Sequence, residues 1–574
     1  MRKACLPFRR TSATLCTKNY WNDMEFSSLE EKIAHARNLA NKPEDLDTNF
    51  IKLLERSKES DKVFLSYWDT DQNRIEVSYK QFYSHVIGTA QFYQSKGLKK
   101  GDKIATISHN HWHTVVQYFA AWYSGLVVVP VNLGEDDNRI TYILENAEVQ
   151  LALVRANCVE RIQKIVNEHA SLAHITLVEC EGDPECFQVY EQNLSGDVTD
   201  IESEALIVFT SGTTGNPKGV VLTQRNLLED ARAITQWHNI NSQTKMMCVL
   251  PIHHVNGTVV TMITPFFAEG STVLNQKFSA GHFFEVVEKE KVHIVSVVPT
   301  LLQYLTSYYT EKEKPPVNSL QHIICGAGPL TVQVAKNFEE KFKVPIIHGY
   351  GLSETTCYSC FLPVDQSYND HKKWMRDFGY PSIGNPVPAN EMAIHDEEGN
   401  PVREGERGEI VIRGVNVMKG YFNNREANEN AFKNGWFRSG DEGFFKKDKE
   451  GSSYFFITGR LKELIIRGGV NLAPLEIDEV INKAPGVKAG IAVGFENDWY
   501  GEEVGAFVQI KKGAKSDKEA ILQYCQNHLP HAKAPKVVIF GNDLPVTSTG
   551  KYQRLKVAHQ FKDWKEIQFK EKNL

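Results

Sequence analysis

Between about residues 30 and 350 of this 574-residue chain, short runs of β-branched and aliphatic residues recur among longer stretches with helical periodicity. The runs are Ile104–Ile107, Leu126–Val131, Leu151–Val154, Ala205–Phe209, Met247–Leu250, Ile294–Val298, His322–Cys325 and Val344–Ile347, each preceding a glycine, proline or polar turn. The alternation predicts an α/β fold in which parallel strands are joined through helices. Sites in such folds lie at the ends of the strands. After Gly379 the texture changes to closely spaced Gly, Pro and Asn with short strands at Glu409–Arg413 and Ser453–Thr458, which predicts a β-rich subdomain. Segments such as Leu475–Ile481, Ile491–Val493, Gly505–Ile510, Glu519–Asn527 and Val537–Phe540 then predict a compact α+β domain of about a hundred residues. The expected division is a terminal segment 1–25, a large domain 26–458, a hinge 459–462 and a small domain 463–574.

Composition excludes several classes of function. With 65 Lys plus Arg against 71 Asp plus Glu, a net charge of −6 provides no global field for nucleic acid or anionic lipid. Ten cysteines spread over the whole length do not make a disulfide scaffold and point to a reducing compartment. No apolar run is long enough to cross a bilayer, so no transmembrane segment is expected. The first 22 residues hold Arg2, Lys3, Arg9, Arg10 and Lys18 with no acid, which resembles a mitochondrial presequence. The expected location is cytoplasmic, with the mitochondrial matrix as the alternative.

The densest chemical signal is the stretch Phe209–Gly219, which joins Thr210, Ser211, Gly212, Thr213, Thr214, Gly215 and Lys218 in one loop after an apolar run. Glycines let backbone N–H groups approach an anion, and hydroxyls donate to phosphate oxygens, so a polyphosphate is the natural ligand. It is not a Walker A loop, because no Gly-Lys-Ser/Thr is present. The loop resembles the phosphate loop of the adenylate-forming superfamily, which includes acyl-CoA synthetases. Four further segments strengthen the likeness: Gly349-Tyr350-Gly351-Leu352-Ser353-Glu354, Gly435–Asp441, Thr458–Ile465 and Pro545–Lys551.

The resemblance implies a role for each of these residues. Tyr350 stacks on adenine along the segment Gly326-Ala327-Gly328, Ser353 touches the α-phosphate, and Glu354 holds Mg²⁺. Asp441 and Arg460 take the ribose, and Lys462 is the point about which the small domain swings between two working orientations. Gly468 and Gly469 enter the site in the second orientation and leave room for the pantetheine arm of CoA. Lys551 reaches the carboxylate and the α-phosphate, with Lys218 and Glu354 also counted among the catalytic groups. In Pro251–Gly257, His254 gates the carboxylate entrance. Asn256, Cys357 and Tyr358 shape the acyl pocket, where a polar and a bulky residue speak against a very long straight chain.

Two patterns have plainer readings. Cys357 and Cys360 form a lone C-x-x-C without the second pair of a zinc site. His109, His111 and His113 alternate just ahead of a helical pattern, and three ligands at that spacing suit a strand. The expected activity is that of a carboxylate:CoA ligase, which uses ATP and Mg²⁺ to convert an organic or fatty acid to an acyl-adenylate and then to a CoA thioester. Alternatives are loading of a carrier-protein phosphopantetheine and an inactive nucleotide-binding scaffold. Its partners are then small molecules, not nucleic acid, and the chain is a monomer or homodimer.

Overall fold

The computed structural model describes residues 26–39, 46–180, 200–210, 216–309, 315–514, 517–546 and 552–570. Among them, a nine-stranded sheet runs in the order Asn385–Pro386, Cys360–Phe361, Ile346–Tyr350, His322–Cys325, Ile294–Val297, Lys245–Cys248, Ser271–Asn275, Val63–Trp68 and Arg74–Ser78. The six strands from Ile346–Tyr350 to Val63–Trp68 are parallel. A second, seven-stranded sheet is ordered Gly420–Tyr421, Lys218–Thr223, Glu204–Thr210, Val127–Val131, Lys103–Ile107, Val149–Val154 and Thr176–Glu179. Alternate residues of its strands enter two separate cores. Ile104, Val128 and Val208 pack into the main core with Phe64, Phe119 and Trp122, whereas Ala105, Val129 and Ile207 join Ile140 and Leu144 on the other face. Burial on both faces is why these strands read as unbroken apolar runs.

Parallel pairing fails at the hydroxyl-rich loop. Glu204–Thr210 and Lys218–Thr223 are antiparallel, with Thr210 opposite Lys218. Seven residues cannot make a parallel crossover, which needs a dozen or more, so the loop closes a hairpin. Thr223 then caps the helix Gln224–Trp237 in a reciprocal pair with Asn226. A second correction concerns Val344–Ile347: the strand is Ile346–Tyr350, so Gly349 and Tyr350 lie within it, opposite Phe361 and Cys360.

The β-rich part is a four-stranded antiparallel sheet, Asn390–His395, Gly408–Gly414, Phe437–Lys447 and Ser453–Arg460. Its last strand continues through Gly459 and Arg460, and only the 3₁₀ turn Leu461–Glu463 separates it from the small domain. Beyond the turn, a five-stranded sheet carries its own two cores, with Ala492, Val504 and Ala506 on one face and Ile491, Val493 and Phe507 on the other. No described helix is long and apolar enough to cross a membrane.

His111 has a structural role. Its side chain caps the helix Trp112–Tyr123, where Nδ1 accepts from the His113 amide at 3.1 Å. Burial, aided by the nearby Arg155, pushes its imidazole down to about 2, so it stays neutral.

Candidate active site

The C-terminal ends of the parallel strands meet the β-rich sheet at one cavity of about 120 Å³, comparable to the roughly 150 Å³ that takes one aromatic ring. Ala327, Gly328 and Pro329 follow the strand His322–Cys325 and form one wall, and His348–Leu352 form the next. Asp441, Gly459, Arg460 and Glu463 close it from the β-rich side, and Tyr552 and Arg554 from the small domain.

Local backbone explains the small residues. A Cβ on Gly326 would lie 2.5 Å from the Tyr358 hydroxyl and 2.8 Å from the Gly349 carbonyl oxygen, and one on Gly351 would meet the Cys357 carbonyl at 1.9 Å. Gly326 therefore lies beneath the wall, and packing from below keeps it small. Ala327 is left-handed at φ 61°, an unfavourable conformation for a residue with a Cβ, and it presents this strained turn directly to the cavity.

Asp441 is the electrostatic centre. Its side chain is 2% exposed. The Tyr350 hydroxyl donates to Oδ2 at 2.6 Å, and Arg460 Nε lies 3.1 Å from Oδ1, an oxygen that accepts no hydrogen bond. Burial, reinforced by Asp441, raises the Tyr350 phenol well above its usual range, so it remains a donor. His348 is pushed down to about 4 by burial; as a neutral ring it donates Nδ1–H to the Ser382 carbonyl at 2.9 Å. Arg554 is held by a two-pronged contact with Asp478 and donates to the Ala492 carbonyl at 2.9 Å. It lies 3.7 Å from Glu463, whose carboxyl is raised by burial.

Glu354 sits in the 3₁₀ turn Ser353–Thr355, and its Oε1 accepts from the Tyr421 hydroxyl at 2.9 Å. Lys218 Nζ lies 4.9 Å from the centre of the same Tyr421 ring. One tyrosine thus joins the hairpin base to the Glu354 turn. No local signal marked Tyr421, because its place depends on Gly420–Tyr421 pairing with Lys218–Thr223. Tyr552 and Arg554 were also missed, although they directly follow the segment ending at Lys551 and widening that segment would have found them.

Ser211–Gly215 and Lys551 lie outside the described residues. Ser353 directly follows the cavity-lining Leu352 in the chain and does not itself line the cavity. Lys462 is exposed, on the turn between the sheets. Gly468 and Gly469, at φ 57° and 79°, make the tight turn between the strands Ile465–Arg467 and Val470–Leu472; they are exposed and do not line the cavity, so backbone conformation already requires glycine there. His254 is half-buried with its ring 4.5 Å from His253. Asn256, Cys357 and Tyr358 are buried beyond Gly326. There the Asn256 amide donates to the Tyr358 hydroxyl at 3.1 Å, and Ser296 donates to Asn256 Oδ1 at 2.7 Å. Cys357 and Cys360 are free thiols.

The family model for the AMP-binding enzyme matches residues 55–422, and that for the AMP-binding enzyme C-terminal domain matches 476–551. The chain belongs to the AMP-binding enzyme family. Within this family it is 32% identical to the sulfoacetate–CoA ligase of Cupriavidus necator, over 81% of this chain and 89% of that one. It is 30% identical to the oxalate–CoA ligase of Arabidopsis thaliana over the same shares of the two chains. Among solved structures, ATP-bound MatB from Rhodopseudomonas palustris superposes with a TM-score of 0.81 at 26% identity, covering 90% of this chain and all of that one.

Proposed function

We propose that this ATP-dependent acid–thiol ligase is a carboxylate:CoA ligase for short organic acids. The observation that carries the nucleotide half of the reading is Asp441. A buried carboxylate oxygen that accepts no hydrogen bond, in a cavity walled by an alanine–glycine turn and a tyrosine, is an acceptor for ribose hydroxyls beside a slot for a flat base. The acid's carboxylate oxygen attacks the α-phosphorus and pyrophosphate leaves. The CoA sulfur then attacks the acyl carbon and AMP leaves, since a mixed anhydride is far more reactive toward thiols than a carboxylate.

The residues have separate tasks. Asp441 and Arg460 hold the ribose, Ser353 and the Thr210–Lys218 hairpin hold phosphate oxygens, and Lys551, beside the cavity-lining Tyr552, stabilises charge at the α-phosphate. Glu354 fits Mg²⁺: it is a half-buried hard oxygen donor, and one carboxylate with substrate phosphates is the usual set for this ion. Bound there, the ion would neutralise phosphate charge.

The buried packing past Gly326 supports a short acid. The space past Gly326 is filled by Tyr358, tied to Asn256 and Ser296, and an extended chain must break those buried bonds at about 1–3 kcal/mol for each group left unpaired. The relatives' names range from the two-carbon acids sulfoacetate and oxalate to a long-chain fatty acid, so the acid class rests on this packing alone. A panel of acids from two to sixteen carbons, scored by carboxylate-dependent pyrophosphate release and then by thioester formation with CoA, tests the reading. A preference for long chains would refute the acid class, and absence of pyrophosphate release with every acid would refute the ligase assignment. For location we keep the cytoplasm, with the mitochondrial matrix as the alternative.

A further inference from the structure

The helix Pro474–Ile481 carries two acids, Glu476 and Glu479, on one face into the contact between the small domain and the large one. Glu476 Oε2 lies 3.5 Å from Arg407 and accepts from the Tyr380 hydroxyl at 3.5 Å, while its Oε1 pairs with Lys533 at 2.6 Å. Glu479 reaches further. Its Oε1 accepts from the backbone amide of Val332, the first residue of the large-domain helix Val332–Phe342. Such an amide has no partner in its own helix, so the carboxylate satisfies an orphan donor at the positive end of the helix dipole.

That helix end is continuous with the nucleotide cavity. Ala327, Gly328 and Pro329 line the cavity and lead through Leu330 and Thr331 into Val332. Pro474 and Leu475, at the start of the helix that carries Glu479, line the same cavity. We propose that Glu479 is a positioning residue for adenylate formation: by capping the Val332 helix across the domain contact, it holds the small domain over the nucleotide and braces segment 327–332. The assignment rests on the two-step reading above together with the swing about Lys462 that the family resemblance implies, by which the small domain turns away before the thiol step.

The contact is also proton-linked. Glu479 is 6% exposed, and its Oε2 accepts no hydrogen bond, with Lys483 Nζ at 3.7 Å. Asp478 adds negative charge from the same helix; from the large domain the cleft presents His348, neutral in this pH range, and the Tyr380 phenol. Burial pushes the carboxyl from 4.5 up to about 7. Turning out into water restores the ordinary value, so docking binds a proton more readily than release does. Docking is then strongest below about pH 4.5, weakens as pH rises through about 7, and is level above that.

The test uses the full chain and the variants Glu479→Ala and Glu479→Gln. ATP binding is measured by calorimetry without acid, and thioester formation is measured from the supplied adenylate of the acid that the panel identifies. We expect Glu479→Ala to weaken ATP binding about tenfold and to slow pyrophosphate release, with thioester formation from supplied adenylate retained. Glu479→Gln keeps an acceptor oxygen, so it should recover most of the affinity while flattening its dependence on pH between 5 and 8. Unchanged ATP affinity in the alanine variant, or equal losses in both half-reactions, overturns the assignment. If the alanine variant does not fold, the glutamine variant decides: a wild-type pH profile refutes the proposal. A wild-type chain that binds ATP but makes no thioester refutes the ligase reading instead, and the affinity measurements still judge Glu479.

Discussion

Replacing Asp441 by alanine isolates the nucleotide half of the reaction. In the folded chain the carboxylate accepts from the Tyr350 hydroxyl at 2.6 Å and faces Arg460 at 3.1 Å, with its remaining acceptor capacity directed to the cavity. Alanine removes the acceptor for the ribose hydroxyls and leaves the buried Tyr350 hydroxyl without its partner. Hydrogen bonds to a charged group contribute about 1.5–3 kcal/mol each. Part of that loss is returned by water entering the space, because the neighbouring Arg460 side chain is 39% exposed. A net loss of about 3 kcal/mol corresponds to roughly a hundredfold in ATP affinity. Asp441→Asn keeps one acceptor oxygen and should lose about tenfold. Calorimetric titration with ATP and the Michaelis constants for ATP and for the acid check this together, with thermal unfolding confirming that each variant is folded. A fall in ATP affinity of less than about threefold, or a Michaelis constant for the acid that rises as much as that for ATP, refutes the ribose assignment of Asp441.

Other parts of the molecule give three further expected outcomes. Lys462→Pro should restrict φ in the exposed turn between the two sheets and hinder domain rotation, so acyl-adenylate accumulates while thioester does not; equal loss of both steps would place the hinge elsewhere. Lys551→Ala should slow adenylation by about 100- to 1000-fold yet spare thioester formation from supplied adenylate, and comparable damage to both steps would refute its assigned task. Asp230 is fully buried, accepts from Asn416 at 2.8 Å, and is pushed by burial from 3.8 up to about 8. Its contribution to folding is complete below pH 3.8 and is lost progressively as pH rises to about 8, so the melting temperature should fall between about pH 4 and 8 and level off above that, and Asp230→Asn should flatten that fall; an unaltered slope would show the group is not the one titrating.

Much of the molecule was legible because it depends on neighbours in sequence. A strand buried on both faces must be an apolar run, and a backbone that approaches an anion or turns with positive φ must be rich in glycine, so strands, turns and the order of the motifs could be read from residue types alone. The length of the loop 211–217 also held the correction at its ends, since so short a connection returns antiparallel. What could not be read is which distant side chains meet. Tyr350 and Asp441 are 91 residues apart, Glu354 and Tyr421 are 67 apart, and Val332 and Glu479 are 147 apart. Each pair forms only once strand order and domain packing have set two loops side by side, and a hydrogen bond requires that approach to within a fraction of an ångström. The residue types of the site were therefore local information, while the Asp441–Tyr350–Arg460 cluster, the tyrosine between Lys218 and Glu354, and the cap from Glu479 came only from the tertiary structure.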